Sequence, residues 1–264
     1  MSLSAYLEGI GVLGPGLNGW AESAAILTGR RAYSSAATVL PVPSMLPAAE
    51  RRRTGRVVKV ALGVAFEATA AAGADPVKLP SVFSSSGADG YICHEICQAL
   101  ALPAREVSPT RFSNSVHNAA SGYWSIATGA MTESNVLCAY DASFVAGLLD
   151  AMSQVRDQSA VLLVAYDTEY PPPLHAKRPL PDAFGIAMVL SAHATPQSLA
   201  RLDVALTDEA YDTLRDPKLE ALRTSIPAAR GLPLLELLAA QKAGRTVVEY
   251  LDCARASVQV EPCR

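Results

Sequence analysis

The chemistry-bearing residues of this chain are few, and their spacing says more than their number. Val136-Leu137-Cys138-Ala139-Tyr140-Asp141-Ala142-Ser143 is the most informative run. Asn135 to Ala139 reads as a short strand and Tyr140-Asp141 as a sharp turn. Phe144, Val145, Leu148, Leu149 and Met152 read as the buried stripe of a following helix. A residue on such a turn is held clear of the stack and faces the positive end of the next helix, where acyl-transfer enzymes put a nucleophile. Here that residue is Tyr140. Cys138 lies two residues earlier, on the same strand face but about 7 Å back along the chain.

Other candidates have a plain reading beside a sharp one. Cys93-His94-Glu95-Ile96-Cys97 has metal-binding residue types. On a helix, however, the two thiols share a face while His94 points about 100° away. Two thiols are half a zinc site and no Cys-x-x-Cys lies elsewhere, so no metal is expected. His117 reads either as an acid/base group or as a helix histidine tying loops together by hydrogen bonds. The second is favoured, because no titratable partner is near it in sequence. Asn114, Ser115 and Asn118 read as caps of a helix from about Asn114 to Thr128, with substrate binding the alternative. Ser84-Ser85-Ser86-Gly87 reads as a loop with an N-cap rather than an anion-binding turn.

The elements that must position these residues follow from apolar spacing. Strands are predicted at Leu3–Leu13, Leu79–Ser86, Ala160–Tyr166, Ala183–Ala192, Leu199–Thr207, Val247–Leu251 and Ala256–Val260. The pair 183–192 and 199–207 is expected to be antiparallel. Helices are predicted at Trp20–Leu27, from Arg51 to about Ala72, at Asp89–Leu102, and at Leu232–Lys242 with Gly244 as C-cap. Residues 38–48 read as a proline-rich ordered loop and 170–182 as a proline-rich surface crossing, and 208–225 is polar with no clear period. The 264 residues are half apolar with a formal net charge of -3, which suits a compact α/β chain and leaves no nucleic-acid footprint. An odd set of five cysteines reads as reduced thiols of a cytoplasmic protein. No signal peptide is expected, and no apolar run reaches the roughly 18 residues of a membrane span.

The blocks Ser108-Pro109-Thr110, Phe112-Ser113-Asn114-Ser115-Val116-His117-Asn118-Ala119-Ala120-Ser121-Gly122-Tyr123 and Tyr140-Asp141-Ala142-Ser143 resemble the β-ketoacyl synthase family. Within it, the chain is similar to the short chain length factor group of aryl-polyene and related pigment pathways. The likeness runs from about Ser2 to Ala192. It implies an α/β, thiolase-like α-β-α-β-α layered fold with mixed sheets, in which the helix after Tyr140 lies between two sheets. Residues 1–264 would form a single ketosynthase-like domain. Residues 1–192 would match the ketosynthase N-terminal half, and 193–264 would be a shortened C-terminal half.

In the family, a cysteine on the turn holds the acyl chain, and histidines or a His/Asn pair stabilise the charge that develops. The resemblance puts Tyr140 in the cysteine's place. The family's His-Gly-Thr-Gly segment and Gly-rich Phe-Gly turn do not occur after Asp167, and His175 and His193 lack glycine-rich context. The resemblance therefore implies a subunit without catalytic residues or cofactor, which pairs with an active ketosynthase through the 114–128 helix and the 135–139 strand. Tyr140, Asp141, Phe144, Phe112, Asn114, His117, Asn118 and Tyr123 would line the acyl tunnel or the interface. Tyr140 would plug the acyl pocket and so limit chain length. Arg51, Arg52, Arg53 and Arg56, with Lys59, would either dock an acidic acyl carrier protein or form a solvated helix start. Two other readings stay open: an acyltransferase or thioesterase using Cys138 with His117, and a homodimeric scaffold or carrier-protein-binding module.

Overall fold

The computed structural model describes residues 2–156 and 160–263. Strand β1 (Ser2–Gly14) turns through Pro15-Gly16 into the short β2 (Leu17–Asn18). Helices α1 (Trp20–Leu27), α2 (Ala48–Arg51) and α3 (Arg56–Ala71) follow, then β3 (Ser81–Ser84). Helices α4 (Gly90–Ala101), α5 (Pro109–Asn114) and α6 (Ala119–Thr128) lead to β4 (Ser134–Leu137) and α7 (Ser143–Gln154). The chain continues through β5 (Val161–Asp167), β6 (Phe184–Ser191), β7 (Ala200–Thr207), α8 (Pro217–Ser225) and α9 (Leu232–Ala239). It closes with the hairpin β8 (Gly244–Leu251) and β9 (Ala254–Pro262).

The strands form one sheet in the order β4-β3-β5-β6-β1-β7-β9-β8, with β2 beside β1. β4, β3 and β5 are parallel, and every other pairing is antiparallel. β5 is buried along its whole length, which explains its unbroken apolar sequence. Its side chains alternate between two cores. Val161, Leu163 and Ala165 face a core that includes α7 and α9, while Leu162, Val164 and Tyr166 face one that includes α3 and α6.

Close approach of α3 to the sheet depends on glycine. A Cβ at Gly9 would fall 2.2 Å from the Ala68 carbonyl oxygen, and one at Gly11 2.1 Å from that of Val64. The stripe Val57, Val60, Ala61, Val64, Ala65 and Ala68 expected to face the core is buried.

Several expectations are corrected. β6 and β7 do not pair, because β1 lies between them and pairs antiparallel with each. A long N-terminal strand with both edges free can recruit partners far apart in sequence, and local pattern does not reveal this. The predicted helix from Arg51 is broken at residues 52–55, so α3 begins at Arg56 after Gly55. The 114–128 helix is likewise two helices, α5 ending at Asn114 and α6 starting at Ala119. Gly244 is no C-cap but the first residue of β8, and α9 ends at Ala239. In the aperiodic 208–225 segment, α8 forms because Asp216 accepts from the amides of Lys218 and Leu219 ahead of its first turn. Finally, α7 packs on β3, β5 and β1 but also meets β8, so one curled sheet supplies both of its strand neighbours.

Candidate functional site

The site lies at the C-terminal ends of β4, β3 and β5, where parallel strands commonly open a crevice. β4 ends at Leu137, and after Cys138 and Ala139 the chain turns sharply at Tyr140, whose φ is 52°. A tyrosine in the left-handed region is strained by about 1–2 kcal/mol and persists only where its surroundings hold it. Ser143 supplies that hold. Its hydroxyl accepts from the Ala139 amide at 3.1 Å and donates to the Tyr140 carbonyl at 2.7 Å. Ser84 on β3 donates to the Ser143 carbonyl at 2.6 Å, and Gly147 lets α7 settle directly onto Ser84. The turn at 140–141 is thus where the sequence puts it.

Tyr140 is 59 % exposed, so in this chain its ring fills no internal pocket. The Arg178 guanidinium lies over it, 3.7 Å from the ring centroid. Arg178 also pairs with Asp141 at 2.5 Å, and Arg230 reaches the other carboxylate oxygen at 3.1 Å. From there a ladder of charge runs inward. Arg230 contacts Glu249 at 3.2 Å, and the fully buried Arg223 meets both Glu249 and Glu220 at 2.7 Å. The segment 170–182 and the C-terminal elements therefore pin the turn.

Behind the turn sits Asp167 at the end of β5. It is buried and accepts from the Ser86 amide at 2.8 Å, the Ser86 hydroxyl at 2.6 Å and the Ala228 amide at 2.8 Å. Burial pushes its pKa up to about 6, against the pull of these donors and of Arg178. The Ser84–Gly87 turn thus anchors a carboxylate. The N-cap expected there is Asp89 instead, which accepts from the Ile92 amide at 3.1 Å. Sequence reasoning missed Asp167, Arg178 and Arg230. Asp167 was legible only as a strand-ending acid, and nothing local marked the two arginines.

Cys138 and His117 both lie against this serine turn. The exposed Cys138 thiol donates to the Ser86 carbonyl at 3.2 Å. The His117 ring faces the Ser85 carbonyl, its Nε2 is buried without a partner, and burial lowers its pKa. Among the described residues no hydrogen bond joins the two. Asn114, Ser115 and Asn118 do not cap α6 with their side chains. Asn114 instead bridges the chain, donating to the Arg53 carbonyl at 3.1 Å and accepting from the Tyr123 hydroxyl at 3.2 Å. Ser115 donates back to Phe112 at 2.8 Å, and Asn118 is exposed. Phe144 and Tyr123 are core residues, whereas Phe112 is exposed.

Of the candidate docking arginines, Arg56 is committed to Glu169 and Asp182, and Arg53 pairs with Glu50. A cleft of about 370 Å³ lies beside them, lined by Arg53, Arg56, Asp89, Ile92, Arg111 and Asn114 among others. Cys93 and Cys97 are exposed on α4. No group of three or more His, Cys, Asp or Glu residues suited to a metal occurs among the described residues.

The two edges of the sheet differ. At β8, the Val247 carbonyl accepts from the Asp212 amide at 2.8 Å and its amide donates to the Asp212 carboxylate at 2.9 Å, so Asp212 covers that edge at Val247. At β4 the sheet simply ends, with Ser134 and Asn135 exposed. Exposed apolar side chains occur on the elements leading to that edge: Leu100, Phe112, Val116, Ile126 and Met131. Of the twelve residues of α4, only Gly90 is buried.

A nucleophile-type turn on a parallel strand, packed in this layered α/β sheet, defines a condensing-enzyme scaffold. The chain belongs to the β-ketoacyl synthase N-terminal domain family, whose model matches residues 20–247. The expected thiolase-like fold is also that of solved ketosynthase assemblies. A chain of the ketosynthase (ApeO)–chain length factor (ApeC) complex from Xenorhabdus doucetiae is 22% identical, with 97% of this chain and 99% of that one covered and a TM-score of 0.74. A chain of the ishigamide ketosynthase/chain length factor is 14% identical, with 99% and 100% covered and a TM-score of 0.72. A chain of the AntDE:AntF complex, a type II polyketide acyl carrier protein with its ketosynthase, is 10% identical, with 100% of both chains covered and a TM-score of 0.74. No curated protein sequence matches. Among the described residues no helix is long and apolar enough to cross a membrane.

Proposed function

We propose that this chain is a non-catalytic ketosynthase-like subunit, a chain length factor, which pairs with an active β-ketoacyl synthase and shapes its acyl tunnel. The observation that carries the reading is the left-handed Tyr140 on the turn that would hold a nucleophile. A phenol stacked under a guanidinium has neither the thiolate character nor the adjacent base that acyl transfer requires. The uncovered β4 edge and the apolar surface of α4 to α6 support pairing, since an open edge beside exposed apolar side chains invites a second chain. By analogy with the assemblies it resembles, the partner is a ketosynthase and the growing chain is carried on an acyl carrier protein during polyene or polyketide extension. Arg51 and Arg52, at the C-terminal end of α2, are the candidates left for carrier-protein docking.

The enzymatic alternative rests on Cys138, but its thiol donates to a carbonyl instead of meeting a base. The homodimeric scaffold would use the same edge. Co-expression with the ketosynthase encoded nearest to this chain, followed by light scattering, separates the readings. A one-to-one complex whose product length changes with Tyr140→Ala supports the subunit. A partner equally active and length-selective without this chain overturns it. In that case iodoacetamide labelling of Cys138 with loss of acyl transfer would favour the enzyme.

A further inference from the structure

We infer that Arg178 is a positioning residue that holds the Tyr140 ring in one orientation at the turn after β4, and so determines the chain-length limit that Tyr140 imposes. The inference rests on the chain-length reading above. Three features leave Tyr140 free to move: it is exposed, it lies beyond the end of β4, and its φ of 52° is costly. Ser143 fixes its backbone through the Ala139 amide and the Tyr140 carbonyl. The Arg178 guanidinium, 3.7 Å from the centroid, is the contact that orients it.

Arg178 is itself held on several sides. Asp141, the residue next to Tyr140, takes its Nη2 at 2.5 Å. Buried Asp167 attracts it from beneath the turn. Its backbone amide, two residues past the short 3₁₀ turn Leu174–Ala176, donates to the Leu174 carbonyl at 3.0 Å, so the main chain that carries it is braced. Arg230 secures Asp141 from the other side. The pair Asp141 and Arg178 thus forms a bracket whose guanidinium end lies over the ring. A guanidinium suits this double contact better than an ammonium, because its plane can lie over an aromatic face while one N–H reaches a carboxylate.

This gives the proline-rich crossing 170–182 a role: it delivers one cation over the turn. It also separates two functions that substitution at Tyr140 alone would confound, the size of the side chain and its direction.

The test uses the full chain labelled with 3-fluorotyrosine and observed by fluorine NMR. The Tyr140 line is the one that Tyr140→Phe removes. In Arg178→Lys, which keeps a charge for Asp141 but loses the plane, that line is expected to move toward free fluorotyrosine and sharpen while the other tyrosine lines stay. The complex of Arg178→Lys with the ketosynthase is expected to form as usual. Its preference for the parent product length over the next should fall about fivefold, the scale of an exposed ring–cation contact. Arg178→Met should do the same. If it lowers Tm too far to purify, Arg178→Lys carries the test.

An unmoved Tyr140 line in Arg178→Lys overturns the proposal. So does a moved line with an unchanged product distribution. If the parent chain binds no ketosynthase, the chain-length reading falls and takes the specificity role with it. The fluorine spectra of the chain alone would still decide whether Arg178 holds the ring.

Discussion

Asp167 shows how a single buried group couples this fold to pH. Its pKa of about 6 lies above the ordinary carboxylate value of 3.8, so the folded chain holds that proton more tightly than the unfolded chain. Its contribution to stability is therefore greatest below about pH 4 and is lost as pH rises through 6. Two pKa units correspond to about 3 kcal/mol. Urea midpoints measured from pH 4 to pH 7.5 should show this slope in the parent chain relative to Asp167→Asn, which cannot ionise. Above pH 6, where Asp167 is a carboxylate, Asp167→Asn would also set its amide N–H against the Ser86 or Ala228 N–H from which the carboxylate accepts. Equal pH slopes in the two proteins would mean that Asp167 keeps an ordinary pKa. At the same scale, Tyr140→Ala should leave Tm nearly unchanged, since the ring is mostly exposed and a strained φ is relieved only slightly. A large drop in Tm would make the ring a structural plug rather than a surface feature.

At the scale of elements, α3 rests on the sheet through glycines, and the cost of a methyl there is steric. Gly11→Ala places a carbon against the Val64 carbonyl and must lift α3 or bend β1. A loss of roughly 1–3 kcal/mol or more is expected in chemical denaturation, as for other overpacked sites. An unchanged midpoint would mean that α3 is free to shift. The β4 end of the sheet makes the opposite prediction. Met131 is 96 % exposed and Ile126 is half exposed, so Ile126→Asp with Met131→Asp should spare the Tm of the isolated chain. The same pair should abolish co-purification with a ketosynthase, because an unpaired charge buried at an interface costs several kcal/mol. A complex that survives both substitutions would move the interface elsewhere.

Across the whole molecule, the charge ladder joins parts of the chain far apart in sequence: the turn at 140–141, residue 178, α8 and β8. Arg223 is 1 % exposed and holds Glu220 and Glu249 together. Removing one member of a buried ion network leaves the others uncompensated, so Arg223→Met should cost about 3–5 kcal/mol. Arg223→Met with Glu249→Gln should recover part of that loss. Additive losses in this double-mutant cycle would rule out the network as a unit. Its position explains why the C-terminal elements matter to a turn they do not contain.

What the sequence determined by itself was local. Strand β5, helix α1, the two closing strands and the strand-turn-helix at Tyr140 follow from apolar spacing and turn residues, which act over a few residues. The family was legible in the Ser108–Tyr123 and Tyr140–Ser143 blocks. What only the tertiary structure decided was long-range. It set β1 between β6 and β7, covered the β8 edge with Asp212 while leaving β4 open, and broke the 114–128 helix so that Asn114 could bridge Arg53 and Tyr123. It also brought Arg178 and Arg230 to Asp141. The physical reason is that strand order and ion pairing are chosen by burial and geometry among segments far apart in the sequence. A short-range pattern can mark a residue as strand or turn. It carries no signal for which distant cation will lie across an aromatic ring.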